Sequence, residues 1–318
     1  MAQTIFPPER PAAPPAKRLA LKVDVQTYRG TLEGVPRLVQ ALRRHGAQAT
    51  FLFTLGTEHT GARLLRMGAA ARRKIGGHTL LSHYGAKTLM YGTVLPAPDI
   101  GRRCAEIMRN VRDAGFEVGI QAWDSARWRE AAAASDARWT LEQMQRATDR
   151  FEEIFGTAPR VHGAAGWQMN THAYRLTQRL GFDYCSDTRG LHPFTPVVKA
   201  ELIACPQIPT TLPALDELLA RDGMSPDNAA ALLVKATRTL PAAAGHVYTL
   251  SAELEGMALL PLFEQIVHAW RDRGMELLSL NGYFEAARAA TLPRHCVRIA
   301  RLDGFAGPVA LQGAEFLA

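Results

Sequence analysis

Several things are missing from this 318-residue sequence. No uninterrupted apolar run approaches the ~18 residues of a membrane-spanning helix, and no N-terminal apolar stretch leads to a cleavage site. Neither a spanning helix nor a secretory signal is therefore expected. The four cysteines, Cys104, Cys185, Cys205 and Cys296, include no C-x-x-C pair, which fits reduced, packed thiols in a cytosolic chain. No G-x-G-x-x-G follows the first strand and no G-x-x-x-x-G-K-[ST] occurs, so dinucleotide and P-loop readings lose support. There are ten histidines, yet none stands in an H-x-x-x-H or H-E-x-x-H pair. Acid is absent from His59 to Pro98, where six cations occur: Arg63, Arg66, Arg72, Arg73, Lys74 and Lys87. Nearly the whole formal charge of +7 lies in that segment, and such a patch attracts phosphate on lipid head groups or nucleic acid. Nucleic acid is the weaker reading, because the segment lacks interleaved aromatics and any reading motif.

What is present is a regular alternation of short apolar strands and amphipathic helices. In residues 19–27 Leu19, Leu21, Val23 and Val25 alternate with Ala20, Lys22, Asp24 and Gln26, which predicts a strand with Asp24 and Gln26 on one face. Residues 33–46 have helical spacing and end at Gly46. Further strands are expected at 49–55, 117–121, 161–165, 182–186, 201–207, 246–251 and in MELLSL, with helices between them. Thr140 and Gln143 fit a capping box opening a helix that ends at Gly156. Five prolines in residues 1–17 predict an extended tail, 18–300 one folded domain with a basic insertion at 59–98, and 301–318 a C-terminal tail. The pattern implies a mostly parallel sheet, closed or nearly closed. Parallel barrels place their chemistry at the C-terminal strand ends. The residues to inspect are therefore Asp24, Gln26, Gln121, Gly163 to Trp167, Asp187 and Ser251.

Six blocks carry a resemblance: VDVQTYRGTLEGVPRL (23–38), GIQAWDSARW (119–128), HGAAGWQMN (162–170), SDTRG (186–190), QIPTTLPALDE (207–217) and LSAELEG (250–256). Over about residues 19–300 they resemble the bacterial deformylases of 4-deoxy-4-formamido-arabinose attached to undecaprenyl phosphate, within the polysaccharide deacetylase (NodB-like) superfamily. The resemblance implies an α/β fold, a distorted (β/α) barrel with one divalent metal. It also implies a role in lipid A modification and polymyxin resistance. In the family pattern the first strand ends Asp-x-Asp-Thr, base then metal ligand. A later strand end reads His-x-x-x-His, and a further histidine is the general acid. Here Asp24 matches the base. Gln26 stands at the ligand aspartate, Gln121 and Ser125 at the two ligand histidines, and Ser251 at the general acid.

Metal-dependent amide hydrolysis requires an activated water, a base for its proton and an acid for the leaving amine. Glutamine and serine supply neither imidazole nitrogens nor an anionic oxygen, so no metal cofactor is expected for this chain. Ser251 cannot serve as the acid, and the chain is expected to be hydrolytically inactive or severely impaired. Lone Asp24 then reads as a hydrogen-bonded structural group, with Gln26 and Gln121 bonded to each other or to it. Arg29, Arg189, Trp123, Trp128, Trp167 and Asp187 are candidates for holding the lipid-linked amino-sugar, with core packing as the competing role of the tryptophans. An Asp187–Arg189 pair is a further option. The resemblance implies a peripheral place at the cytoplasmic face of the inner membrane, with 59–98 against anionic lipid. Two other readings compete: an active amide hydrolase with an unrecognised metal site, and a non-catalytic membrane-associated binding protein.

Overall fold

A computed structural model describes residues 17–66, 84–239, 244–288, 291–302, 305 and 307–317. Its centre is a seven-stranded parallel sheet in the order β5-β4-β3-β2-β1-β8, with β9 pairing β1 off that path. The strands are β1 (Arg18–Val25), β2 (Thr50–Thr54), β3 (Glu117–Ala122), β4 (Val161–His162), β5 (Tyr184–Cys185), β8 (His246–Ser251) and β9 (Glu276–Leu278). The alternation read in β1 has a direct counterpart in the packing. Leu19, Leu21, Val23 and Val25 join the cluster beneath the surrounding helices, whereas Ala20 joins a second cluster with Leu52, Val161, Tyr184 and Val247 inside the curl of the sheet. Both faces are buried, which is why the strand core reads as a nearly continuous apolar run.

The curl is completed by an irregular segment rather than a strand. Ile208 N donates to Cys185 O on β5 at 2.7 Å, and Thr211 N donates to Val247 O on β8 at 3.1 Å. Residues 208–211 therefore bridge the two sheet edges, and the result is the distorted, nearly closed barrel that the strand count predicts. The helix Leu280–Ala287 plugs the end where the strands begin, with Leu280, Tyr283 and Phe284 packed into the inner cluster. The opposite end, where the strands finish, is left for side chains of other kinds.

Several local readings are corrected. The helix Ala137–Phe155 starts at Asp136, whose side chain accepts from Trp139 N, so Thr140 and Gln143 form no capping box. Thr140 Oγ1 instead donates to Asp136 O at 2.6 Å. Of the segment 201–207 only Glu201–Leu202 is strand, designated β7. A second, four-stranded sheet in the order β11-β10-β6-β7 combines it with β6 (Thr195–Val198), β10 (Arg294–Arg301) and β11 (Pro308–Glu315). The stretch read as a tail, 301–318, thus contains an eight-residue strand pairing antiparallel with β10. Its buried Val309 and Ala310 anchor it. Residues 1–16 of the proline-rich tail and 67–83 of the basic segment, with Arg72, Arg73 and Lys74, lie outside the described residues.

Candidate functional site

The residues at the C-terminal strand ends converge. Asp24 on β1 is in register with Ser251 on β8 and Leu52 on β2. It is 4 % exposed, and its Oδ1 has no hydrogen-bond partner. Lys22, two residues earlier on the same inner face, is fully buried and places Nζ 3.7 Å from Asp24 Oδ1. The lysine donates to Ser186 O at 2.9 Å and lies 5.4 Å from the centre of the Trp167 ring. Gly163 is required here, because a Cβ on it would stand 2.3 Å from Leu52 Cδ1 and 3.1 Å from Lys22 Cε. Burial pushes the Asp24 carboxyl up and the Lys22 ammonium down, against the attraction each exerts on the other. Arg129, on the helix Ser125–Ala131, is a second cation favouring the charged Asp24, and its own Nε is buried without a partner.

The other positions of the pattern form a hydrogen-bonded set. Ser125 Oγ lies 2.8 Å and Thr54 Oγ1 3.1 Å from Gln121 Oε1, and the two hydroxyls are also in contact, so one donates to the amide oxygen and the other to the amide oxygen or to its hydroxyl neighbour. The Gln121 amide lies near enough to Asp24 to favour its charged form, yet Gln121 Nε2 completes no hydrogen bond of its own. The expected bond from Gln26 to Gln121 or Asp24 is not formed. The Gln26 backbone N donates instead to Glu253 Oε1 at 3.0 Å, which fixes the turn after β1 and leaves the side chain half-buried elsewhere.

Glu253 organises this end of the barrel. Besides Gln26 N, its Oε1 accepts from Thr27 N at 2.8 Å and Thr27 Oγ1 at 2.9 Å, while Oε2 accepts from Ser251 Oγ at 2.9 Å. Gly30 makes room, since a Cβ there would lie 2.1 Å from Glu253 Oε1. Ser251 is thus engaged as a donor to a carboxylate. Glu255 accepts from Tyr248 Oη at 2.7 Å and from Ser251 N at 2.9 Å, and burial pushes its carboxyl up to about 8. The turns after β1 and β8 are π-helical, Gly30–Gly34 and Leu254–Ala258, and they pack on each other. Such segments are frequent at functional sites.

The proposed sugar-holding residues are dispersed. Trp167 is close to the mouth, but Lys22 and Arg189 both lie over its ring, the guanidinium 4.9 Å from the centre, and its Nε1 donates to Thr210 Oγ1. Arg189 bonds Glu217 Oε1 and donates to Leu212 O at 3.0 Å, so it does not pair with Asp187. Burial pushes Glu217 up to about 7 despite that partner. Asp187 instead accepts from His162 Nδ1 at 2.7 Å, Ala164 N at 2.8 Å and Gln207 Nε2 at 3.1 Å. Burial alone would raise its carboxyl; the imidazole and these bonds outweigh burial and hold it below the usual range. Trp123 packs beneath Arg146 and Arg150 at 4.3 and 5.2 Å, and Trp128 stacks on Trp139 and donates to Gln168 O at 2.8 Å. Both serve the core. Arg29 lies 3.4 Å from Glu33 on the neighbouring turn.

Lys22, Arg129, Glu253 and Glu58 escaped the sequence reading. Only Lys22 had a visible signal, since it shares the strand face with Asp24. Glu58 is 2 % exposed, accepts from Tyr28 N at 2.7 Å, and burial pushes its carboxyl up to about 7. Its neighbour His59 binds Asp124 Oδ2 at 2.5 Å, and Asp124 caps the helix that carries Ser125 and Arg129. The basic segment is therefore joined directly to the mouth.

Comparison with known proteins follows the same lines. A family model described as polysaccharide deacetylase matches residues 12–185. A protein of Shewanella sediminis named "Probable 4-deoxy-4-formamido-L-arabinose-phosphoundecaprenol deformylase ArnD" is 33 % identical over 264 residues, 83 % of this chain and 84 % of that protein. A protein of Wigglesworthia glossinidia brevipalpis with the same name is 28 % identical over 255 residues, 79 % of this chain and 87 % of that protein. A crystal structure assigned to a polysaccharide deacetylase from Mycobacterium smegmatis superposes with a TM-score of 0.59 at 16 % identity, covering 94 % of this chain and 100 % of that one, a likeness of fold.

Proposed function

We propose, from the premise that this chain belongs to the polysaccharide deacetylase family and its deformylase branch, that it binds an undecaprenyl-phosphate-linked formamido-pentose without hydrolysing it. The observation carrying this reading is the donor set around Asp24. A divalent ion at the family's position would need imidazole nitrogens and a second carboxylate. Gln121 Oε1 and Ser125 Oγ are instead bonded to each other, and Lys22 and Arg129 already supply positive charge to Asp24. These residues do not fit a divalent metal, and no hydrolytic step through one is derived. Ser251, whose hydroxyl donates to Glu253, is far too weak an acid to protonate a leaving amine at neutral pH.

The remaining polar atoms suit recognition. Gln121 Nε2 and Arg129 Nε are buried donors without hydrogen-bond partners, and Asp24 Oδ1, ion-paired with Lys22 at 3.7 Å, is a buried acceptor without a hydrogen bond. A formamido or hydroxyl-bearing sugar offers both complements, and unsatisfied buried groups of this kind cost about 1–3 kcal/mol each until paired. Arg63 on the helix Thr60–Arg66 feels the charge of Arg129 as well as burial, and a region carrying both guanidinium groups favours a phosphate. Leu32, Leu65, Met90 and Val94 are exposed on the segments around this end, beside Arg66 and Lys87. Shallow, charge-assisted contact with anionic lipid follows from that combination. No helix among the described residues is long and apolar enough to cross a membrane.

The experiment is flotation with anionic liposomes, with and without a phospholipid-linked formamido-arabinose, at low and high salt. Salt-sensitive binding strengthened by the sugar lipid, and weakened by Arg129→Ala, is expected. Binding indifferent to both salt and sugar lipid would refute the reading.

A further inference from the structure

Outside the barrel mouth, three neighbouring backbone segments bring four ligand-type side chains together: His162 from one, Cys185 and Asp187 from the next, and Cys205 from the third. His162 on β4 is in register with Cys185 on β5, and the bridge between Cys185 and Gln207 places the 205–207 segment alongside β5. Cys185 Sγ is 3.5 Å from Cys205 Sγ, and Asp187, two residues beyond Cys185, bonds His162 Nδ1. The ligand atoms of His162, Cys185 and Asp187 lie within 4.8 Å of one another, and all three residues are buried. Ligand atoms around a tetrahedral zinc stand roughly 3.3–3.8 Å apart, given bonds of about 2.0–2.3 Å. Among these three, the widest spacing must shorten by about an ångström and the 2.7 Å His162–Asp187 contact must open by about half an ångström.

A second observation points to a bound group in the same place. The Tyr174 side chain, 1 % exposed, has no partner for its hydroxyl, and the nearby charges of Asp187 and Cys185 act on that hydroxyl. Asp187 is already oriented from outside, because Gln207 Nε2 holds its Oδ2 and Ala164 N its Oδ1. Outer-shell bonds of this type fix the ligands of metal centres.

We propose that His162, Cys185 and Asp187 form a buried site for a thiophilic metal ion, zinc above all, on the outer face of the sheet and separate from the barrel mouth, with Cys205, 3.5 Å from the Cys185 sulfur, moving in as the fourth ligand. One imidazole, one carboxylate and one sulfur, joined by the second sulfur of Cys205, match the preferences of zinc, and all four residues are buried away from substrate, so the ion has a structural role. Binding displaces the thiol protons of Cys185 and Cys205, so affinity rises with pH. This inference does not rest on the reading of the mouth.

The test uses the full chain purified without a metal-affinity tag, equilibrated with zinc chloride, desalted and analysed by mass spectrometry for metals. One zinc per chain is expected, retained in Gln121→Ala and in Cys104→Ser, and reduced at least tenfold in Cys185→Ser/Cys205→Ser. Should that variant fail to fold, the wild-type chain reloaded with cobalt chloride decides the matter. A thiolate-to-cobalt charge-transfer band supports the site. No bound metal, or bound cobalt without that band, overturns it.

Discussion

Replacing Lys22 by methionine removes the cation closest to Asp24 while keeping most of the apolar stem. In the wild type Lys22 Nζ is 3.7 Å from Asp24 Oδ1, donates to Ser186 O, and is wholly buried. Breaking a buried pair from one side typically costs about 3–5 kcal/mol, because the other charge stays behind unpaired. Asp24 has an escape, since burial already pushes its carboxyl up and it can take a proton. The expected loss at pH 7.5 is therefore at the lower end, about 3 kcal/mol, equivalent to roughly 4–5 °C in Tm for a chain of 318 residues. Urea unfolding followed by tryptophan fluorescence measures it. The loss should shrink at pH 5, where protonation of Asp24 is easier. Lys22→Met/Asp24→Asn should recover more than half of the difference, a coupling of about 2 kcal/mol within the range for contacting residues. A Lys22→Met variant as stable as wild type, or strict additivity in the double variant, would refute the idea that this lysine is the internal counter-ion of Asp24.

Three further outcomes follow from the same geometry. Gln26→Asp in metal-free buffer should lower stability by about 1 kcal/mol, because it adds a carboxylate two residues from Asp24 in a turn whose backbone already holds the Glu253 carboxylate; a more stable variant in thermal denaturation would contradict this. Glu58 and Glu217 titrate at about 7 in the folded chain and Glu255 at about 8, above the ordinary 4.5. The folded state thus holds more protons, so their contribution should fall as pH rises from about 4.5 to 8. A Tm series over that range should fall, less steeply in Glu255→Gln; equal slopes would count against the assignment. Glu253→Ala removes four hydrogen bonds from the turns after β1 and β8 and should cost about 2–4 kcal/mol. It should also weaken binding of the sugar lipid in flotation, and unchanged binding would show that the turn does not shape the mouth.

The barrel was legible because its strands carry their own signal. In β1 the strict alternation separates outer Leu19, Leu21, Val23 and Val25 from inner Ala20, Lys22 and Asp24, and the packing keeps that division. The second sheet was not legible. β10 reads Arg-His-Cys-Val-Arg-Ile-Ala-Arg, partly exposed along its length, and gives no buried face to detect. The capping box failed because Asp136 lies four residues upstream of Thr140 and offers a carboxylate, a stronger acceptor for the helix start. Sequence could place Gln121, Ser125 and Ser251 at strand ends. It could not show that Trp123 and Trp128 turn into the core, that Arg189 is occupied by Glu217, or that Glu253 reaches over to the turn after the neighbouring β1, because each depends on contacts between segments far apart in sequence.

The central claim is that glutamine and serine at the barrel mouth leave the family's hydrolytic chemistry without its metal and its acid. It is tested most directly by formate release from a phospholipid-linked formamido-arabinose in the presence of added divalent metal. The wild-type chain is compared with a variant carrying Gln26→Asp, Gln121→His, Ser125→His and Ser251→His together. No release above the uncatalysed rate is expected from the wild type, and a gain of at least about 10²–10⁴-fold from the variant. Rapid formate release by the wild-type chain, abolished by a chelator, would contradict the account.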